Sequence, residues 1–375
     1  MKVYVLIQAR SNSNRLPFKI ILNINNYFVT ELLYRRVKSK LYETVVLTSD
    51  NQTDDFFCYL LNKKKIPFVR GDLKNVKKRF INFKKNLSKE DIIVRLTSDN
   101  VFIDKFLIKL LLKKFLKSKK KYIFLNNKFV SLPHGLSVEI FRYSFLKYSK
   151  NNSRKDIEHV TYSFPKKRKN SVLINPTKKK WLKLNCSIDY LQDYKKIKKI
   201  FEELPNSLNT RWNTLCDKLK GRRIKNRFDI KFFTSNSTII KKKIRIQLSS
   251  FVNQKNKNYV KFKGDKHNGE KFHYFLTLNK KLIGYSSFIK VKNFRNRNYL
   301  VLDNLIVLDK YKNTYFSNIL MFYLNNQILN LNLRCYLTCS IKMSKYFADF
   351  GWTKHQNQLK YLNIKNNLSL MTFNI

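Results

Sequence analysis

The chain reads as an α/β protein, with a mainly parallel sheet covered on both faces and then a smaller α+β domain. Three observations lead there. The strand-like segments of the first half are apolar without polar alternation. Amphipathic helical stretches separate them, and near residues 220–240 that rhythm stops. Continuously apolar strands spaced by helices are buried on both faces, which is the condition of a parallel sheet.

The elements follow in order. VYVLI (3–7) is a buried strand, and TELLYRRVKSK (30–40) places apolar residues at helical spacing. TVVLTSD (44–50) is the second strand, DDFFCYLLNKK (54–64) its helix, PFVRG (67–71) a short strand and VKKRFINFKKN (76–86) another helix. DIIVRLTSDN (91–100) is a long strand, followed by the helix FLIKLLLKKFLKS (106–118). KLNCSID (183–189) reads as a later strand and DYKKIKKIFEEL (193–204) as its helix. This organisation gives a first domain over 1–220, a linker over 221–240 that is basic and carries turn residues, and a second domain over 241–375. In the second domain HYFLTLN and KLIGYSSFIKV are expected as antiparallel strands. A strand-to-helix unit (YLVLDNLIVLDKYKNTYFSNILMFYLNNQILN), the strand RCYLTCS and a short helix before Gly351 complete it.

The charge is extreme, with 78 Lys+Arg against 24 Asp+Glu and a formal net charge of +54. Such a field suits a polyanion-binding surface. However, Lys, Asn, Ile, Phe and Tyr are enriched together and the lysines run along the whole chain. An AT-rich coding bias explains that better than one nucleic-acid footprint, so no specific nucleic-acid partner is expected. The five cysteines (Cys58, Cys186, Cys216, Cys335, Cys339) show no CxxC spacing, which supports neither a zinc site nor a disulfide framework. A cytoplasmic location fits those thiols and an N-terminus that starts directly with a strand. No apolar run approaches the ~20 residues of a membrane span.

In parallel sheets ligands bind beyond the carboxyl ends of the strands. That rule puts Gln8–Lys19, Thr48–Asn51 and Thr97–Asn100 on one rim. Backbone amides after the first strand (3–7), with Arg10, Arg15 and Lys19 around them, suit a triphosphate. The loop is not GxxxxGK[ST], so a P-loop ATPase is not expected. In a chain poor in acids, Asp99 and Asp189 both follow strand-like segments on this rim. As a pair they could make a Mg²⁺ site. Each also precedes a helix and could instead be an N-cap.

Seven ordered segments resemble the cytidylyltransferase family of surface-sugar synthesis. The likeness is greatest to the spore-coat polysaccharide branch, related to CMP-Kdo and CMP-sialate synthetases. The segments are LIQARSNSNRLPFK, VVLTSDNQTDD, FVRGDLKNVKKRF, DIIVRLTSDNVFID, GLSVEIF, DIEHVT and LNCSIDYLQDYKKIKKIFE. The resemblance implies a Rossmann-like, GT-A-like nucleotidyltransferase sheet. It implies CTP as substrate, Mg²⁺ as cofactor and an acidic ulosonic or nonulosonic sugar as acceptor. By the same resemblance Gln8, Ala9, Arg10, Arg15, Lys19, Ser49 and Asp50 hold the nucleotide. Arg10, Lys19 and Asp99 are catalytic, Asp99 and Asp189 hold the metal, and Arg95, Glu139 and His159 face the sugar. The family's glycines are replaced at Asn12, Phe18 and Ser98, and Asn12 and Phe18 are expected to narrow the loop.

Residues 240–375 are similar to Gnat-type N-acetyltransferases in KKLIGYSSF, VLDNLIVLDKYKNTYFSNILMFYL and KYFADFGW. That resemblance implies an acetyl-CoA site at Ile306, Val307, Lys312, Asn313, Thr314, Tyr315 and Ser317, with pyrophosphate at a helix N-terminus. Tyr315 replaces a glycine and is expected to obstruct the pyrophosphate, and the usual acid Tyr falls on Phe347 beside Tyr346. The resulting expectation is a bacterial, bifunctional enzyme of surface-glycan synthesis acting on small-molecule substrates, with a homodimer allowed. The alternative is a non-catalytic sugar-nucleotide binding or scaffold protein with degenerate sites.

Overall fold

Val3–Gln8 forms strand β1 because Val5, Leu6 and Ile7 have no exposed surface at all and need cover from both sides. Each such side chain contributes about 1.5–3 kcal/mol on burial. The computed structural model describes residues 1–13, 15–118, 120–125, 132–148, 157, 159–162, 164, 171–173, 181, 184–219, 230–236, 270–292, 297–312, 314–354 and 368–373. They fall into two units, Met1–Arg227 and Phe228–Ile375.

In the first unit β1 is followed by helix α1 (Val29–Val37), strand β2 (Glu43–Ser49), α2 (Asp55–Lys63), β3 (Phe68–Gly71), α3 (Val76–Asn82), β4 (Ile92–Thr97) and α4 (Lys105–Ser118). Strands β5 (Tyr122–Phe124) and β6 (Glu139–Arg142), helix α5 (Tyr143–Tyr148), strand β7 (Ser171–Leu173), and helices α6 (Leu191–Glu202) and α7 (Trp212–Lys218) complete it. The sheet order is β3-β2-β1-β4-β6-β5-β7. β3, β2, β1 and β4 run parallel, β6 is antiparallel to β4 and β5, and β5 is parallel to β7. The mainly parallel sheet expected from the apolar strands is therefore present, and the carboxyl ends of β1, β2 and β4 share one rim.

The described part of the segment expected as a strand, 184–189, is not a sheet strand. It makes one bridge, Asn185 with His134, and Ile188 N–H donates to the Asp99 carbonyl at 3.0 Å. The cause is Gly135, at φ +94°, where a Cβ would lie 2.4 Å from the Ser187 nitrogen. This bare approach docks the 184–188 segment on the turn beside Pro133 and His134 instead of on a strand edge.

The second unit begins inside the stretch expected as linker. Residues 230–236, with Ile230 and Phe232 among them, form an edge strand because their aromatic and β-branched content suits a half-buried sheet. Its strands are β8 (Ile230–Asn236), β9 (Lys271–Leu278), β10 (Lys281–Lys292), β11 (Asn298–Val307), β12 (Cys335–Ser340), β13 (Thr353–Lys354) and β14 (Leu368–Phe373). Helix α8 (Tyr315–Leu331) precedes β12, and α9 (Ile341–Asp349) follows it. The order is β8-β9-β10-β11-β12-β14-β13. All neighbours are antiparallel except β11 and β12, which pair in parallel at Leu300↔Cys335 and Val301↔Tyr336. Among the described residues no helix is long and apolar enough to cross a membrane.

Candidate active site

The loop after β1 is built from backbone bonds. Ala9 N–H donates to the Leu47 carbonyl at 3.0 Å, and the Ser11 carbonyl accepts from Phe18 N–H at 3.1 Å and Ser13 N–H at 3.0 Å. Phe18 sits at φ 56°, ψ 18°, the left-handed conformation that favours glycine. Its side chain is buried (7% exposed) and Asn12 is exposed. Phe18 therefore points into the core and does not narrow the loop as the lost glycine suggested. The cost is backbone strain at Phe18.

That turn delivers Lys19. Its ammonium has three N–H donors and three partners: Asp99 Oδ2 at 2.6 Å, the Ile188 carbonyl at 2.9 Å and Asp189 Oδ1 at 3.2 Å. The carboxylates expected to act as a pair therefore meet at one point, beside the opening loop. Arg15 Nη2 reaches the same Asp189 oxygen at 2.7 Å while remaining half exposed. Burial by itself would raise the Asp99 carboxyl, but the Lys19 charge and its hydrogen bond outweigh burial and hold it below the usual carboxylate range. Neither acid caps a helix. Asp104 takes the Leu107 N–H at the start of α4, and Asp193 takes the Asp189 and Tyr190 N–H groups before α6.

Asp99 and Asp189 open onto a cleft of about 540 Å³ that Arg15, Arg95, Glu139 and His159 also line. In its wall, Glu139 Oε2 accepts from Arg95 Nη1, and Glu139 Oε1 accepts from Tyr122 OH at 3.0 Å and Thr161 Oγ1 at 2.7 Å. Arg95 Nη2 also donates to Gln8 Oε1 at 3.0 Å. Burial, then the Glu139 charge, push the Tyr122 phenol well above its ordinary range, so it stays a donor. His159 is exposed at the rim. The other expected nucleotide residues lie outside the cleft lining. Ala9 is buried, Arg10 and Asp50 are exposed, and the Asp50 N–H donates to the Gly71 carbonyl at 2.8 Å. Ser49 is fully buried and gives its hydroxyl to Asp54, so its side chain is turned away from solvent.

Sequence reasoning missed Tyr122 and Thr161, which reach Glu139 from other elements. It also missed Asp54, which lay inside the quoted segment VVLTSDNQTDD. Among the described residues no group of three or more His, Cys, Asp or Glu is arranged to hold a metal ion. A metal at Asp99 and Asp189 would take one carboxylate pair from the protein and fill its other positions with water and phosphate oxygens. That suits Mg²⁺, which is bound through one or two carboxylates plus substrate phosphates.

In the second unit Ile306 and Val307 are buried and pair with Tyr285 and Gly284 of β10. Lys312 binds Asp309 at 2.8 Å. Thr314 caps α8 by accepting Phe316 N–H at 3.2 Å, and Ser317 Oγ donates to the Thr314 carbonyl at 2.7 Å. Asn313 lies outside the described residues. Tyr315 is buried (7% exposed) with its ring 4.1 Å from that of Phe316. It is therefore folded inward and does not block the helix terminus. Phe347 is buried, with the Tyr346 ring beside it at 5.4 Å.

Comparison with known proteins gives a consistent answer for the first unit. Residues 4–185 match the cytidylyltransferase family. An uncharacterised protein of Methanocaldococcus jannaschii is 32% identical over 202 residues, covering 52% of this chain and 81% of that protein. The spore coat polysaccharide biosynthesis protein SpsF of Bacillus subtilis is 26% identical over 213 residues, 54% of this chain and 87% of that protein. The solved cytidylyltransferase of Leptospira borgpetersenii superposes with a TM-score of 0.53 at 25% identity, over 60% of this chain and 100% of that one.

Proposed function

Because the chain belongs to the cytidylyltransferase family, we propose that its first unit moves a cytidylyl group from CTP onto a hydroxyl of a surface-glycan sugar. The sugar oxygen attacks the α-phosphorus and gives up its proton to solvent, the bond to the bridging oxygen breaks, and pyrophosphate leaves with the electron pair. One observation supports this most directly: Asp99 and Asp189 converge on Lys19 at the mouth of a polar cleft, next to the loop that carries Arg10 and Arg15.

In this reading Gln8, Ala9, Arg10, Arg15 and Lys19 take the nucleotide and Asp99 and Asp189 hold Mg²⁺. The metal, when bound, supplies charge neutralisation at the α-phosphate and the leaving pyrophosphate. Lys19 and Arg15 can exchange their carboxylate partners for phosphate oxygens, so the same cations serve both states. Arg95, Glu139 and His159 meet the sugar. Arg95 and Glu139 hold each other in place, which fixes the acceptor before attack and lowers the entropy cost of the bimolecular step. We propose an acidic ulosonic or nonulosonic acceptor. Its carboxylate must share Arg95 with Glu139, so the test includes neutral sugars as well.

For the second unit we propose acetyl transfer from acetyl-CoA to an amino sugar. The support is topological: β11 and β12 pair over their first residues, then part, and β11 leads into the capped start of α8. An amine-bearing sugar would unite the two activities in one cytoplasmic, bacterial enzyme.

The deciding experiment is pyrophosphate release with CTP, UTP, GTP and TTP, each with Mg²⁺ and a panel of acidic, neutral and amino sugars. CTP alone is expected to turn over. No release with any pair, together with no calorimetric heat for Mg-CTP, would overturn the enzyme reading; heat without release would leave a non-catalytic binding protein. Release of free thiol from acetyl-CoA with the amino sugars tests the second unit separately.

A further inference from the structure

Asp54 has no exposed surface, yet it is a carboxylate in a chain with few of them. Its Oδ1 accepts the Ser11 N–H at 2.6 Å, across 43 positions of sequence. Its Oδ2 accepts the Ser49 N–H at 3.2 Å and the Ser49 hydroxyl. One buried group therefore ties the loop after β1 to the turn after β2. Both are rim segments at the carboxyl ends of the paired strands β1 and β2, joined at their start by the Ala9 N–H to Leu47 carbonyl bond and farther out by Asp54.

The Ser11 peptide is the joint through which this hold reaches the cleft. Its N–H goes to Asp54, and its carbonyl receives Phe18 N–H. Phe18 is the left-handed residue that turns the chain, and the next residue is Lys19, whose ammonium lies on Asp99 and Asp189. A short path of backbone and side-chain bonds thus runs from a buried acid to the carboxylate pair. Arg79, itself buried and fixed to the Asp72 and Leu73 carbonyls at 2.7 and 2.9 Å, is close enough to act on Asp54 electrostatically.

We propose that Asp54 is a positioning residue for cytidylyl transfer: it touches no substrate, and it fixes the Ser11 peptide so that Arg10 and Lys19 are presented to the triphosphate. The role rests on the cytidylyltransferase reading of the cleft. A left-handed Phe18 gives the loop an intrinsic preference to relax, and the Asp54 bonds oppose that preference at Ser11. Without them the cations lose their fixed separation from Asp99 and Asp189. Misplacement on the order of 1 Å costs about 100-fold in rate.

The test uses the full chain with Asp54→Ala and Asp54→Asn. Amide exchange over residues 9–19 and kcat/KM for CTP are both measured well below the melting temperature. Asp54→Ala is expected to lose protection in 9–19 and to fall about 100-fold in kcat/KM. Asp54→Asn keeps an oxygen for Ser11 N–H but turns its NH2 toward the Ser49 donors. It is expected to retain protection in 9–19, to lose it at the Ser49 turn, and to fall only about tenfold.

A folded Asp54→Ala protein with wild-type exchange in 9–19 overturns the proposal. So does one with a lowered melting temperature but unchanged kcat/KM, because that is a scaffold role only. If Asp54→Ala does not fold, Asp54→Asn decides, and wild-type exchange at the Ser49 turn with wild-type kcat/KM overturns it. If the wild-type chain turns over no nucleotide, the cytidylyltransferase reading fails by itself, and the exchange result still shows whether Asp54 holds the loop.

Discussion

If Asp99 and Asp189 hold a metal as proposed, Lys19 occupies the point where it would gain most, and ammonium and metal would compete. Lys19→Met keeps the stem and removes the charge. In the wild-type chain, a dication that engages both carboxylates must displace an ammonium bonded at 2.6 Å and 3.2 Å, with side chains only 10–18% exposed. Breaking a buried pair of this kind costs about 3 kcal/mol at the low end. That corresponds to roughly 100-fold in affinity. The assay is Mn²⁺ binding to the nucleotide-free protein, read from the electron paramagnetic resonance of free Mn²⁺. Lys19→Met is expected to bind Mn²⁺ about 100-fold more tightly than wild type. It is also expected to melt lower without metal, because two carboxylates are left uncompensated, and to regain stability with Mn²⁺. In the wild-type chain tight Mn²⁺ binding should require nucleotide, whose phosphates offer the ammonium a new partner. Equal Mn²⁺ affinity in both proteins without nucleotide would refute the competition.

Three further outcomes follow from the geometry. Asp99→Asn should abolish pyrophosphate release by more than about 100-fold while shifting the melting temperature little, because an amide oxygen can still accept from Lys19; unfolding instead would identify Asp99 as a scaffold residue. Gly135→Ala should destabilise the first unit by at least about 2 kcal/mol in denaturant titration, since φ +94° disfavours any side chain and the new Cβ would meet the Ser187 nitrogen at 2.4 Å; an unchanged midpoint would contradict that docking. Burial first, and then the Lys271 charge, lower the His273 pKa below its ordinary value. The unfolded chain therefore takes up the proton first on acidification, and this contribution to stability is complete above about pH 6.5 and is lost as pH falls toward the folded value. Calorimetric melting of the full chain from pH 8 to 5 should show a loss that His273→Gln reduces, and identical slopes would exclude His273 as its source.

The first unit was readable because its signals are local. An apolar run followed by a helical period specifies each βα step without knowledge of its neighbours, and the observed ends lie close to the expected ones. KLNCSID failed for the opposite reason. It has strand composition, but a strand exists only where an edge accepts it. Here the accepting surface is the turn at Gly135, about 50 positions earlier in the chain. The strand at Ile230–Asn236 was obscured by the basic, turn-rich run around it, although FDIKFFTS has the aromatic content of an edge strand. Asp54 shows the limit most clearly. Asp50, Asp54 and Asp55 stand in one segment with equal claims on a rim. Only the fold separates them: Asp50 is exposed, Asp55 pairs with Arg70 at 2.6 Å, and Asp54 is enclosed between two loops.

Partner chemistry distinguishes acids that build the first unit from acids available for reaction. Asp91 is spent on the Lys2 and Ser88 N–H groups, Asp104 on those of Leu107 and Trp212, and Asp193 on those of Asp189 and Tyr190. Backbone amides cannot leave without unfolding something, so these carboxylates are fixed. Asp99 and Asp189 instead bind the flexible cationic side chains Lys19 and Arg15. A cation on a long stem can move to a phosphate and release the carboxylate to a metal with no change in fold. Against the chain's large positive charge, an exchangeable pair of acids on a strand-end rim is poorly explained by stability, because surplus lysine would be better left in water than held at 10% exposure. The arrangement fits the proposed cytidylyl transfer: before substrate arrives the charges are in place, compensated and able to change partners.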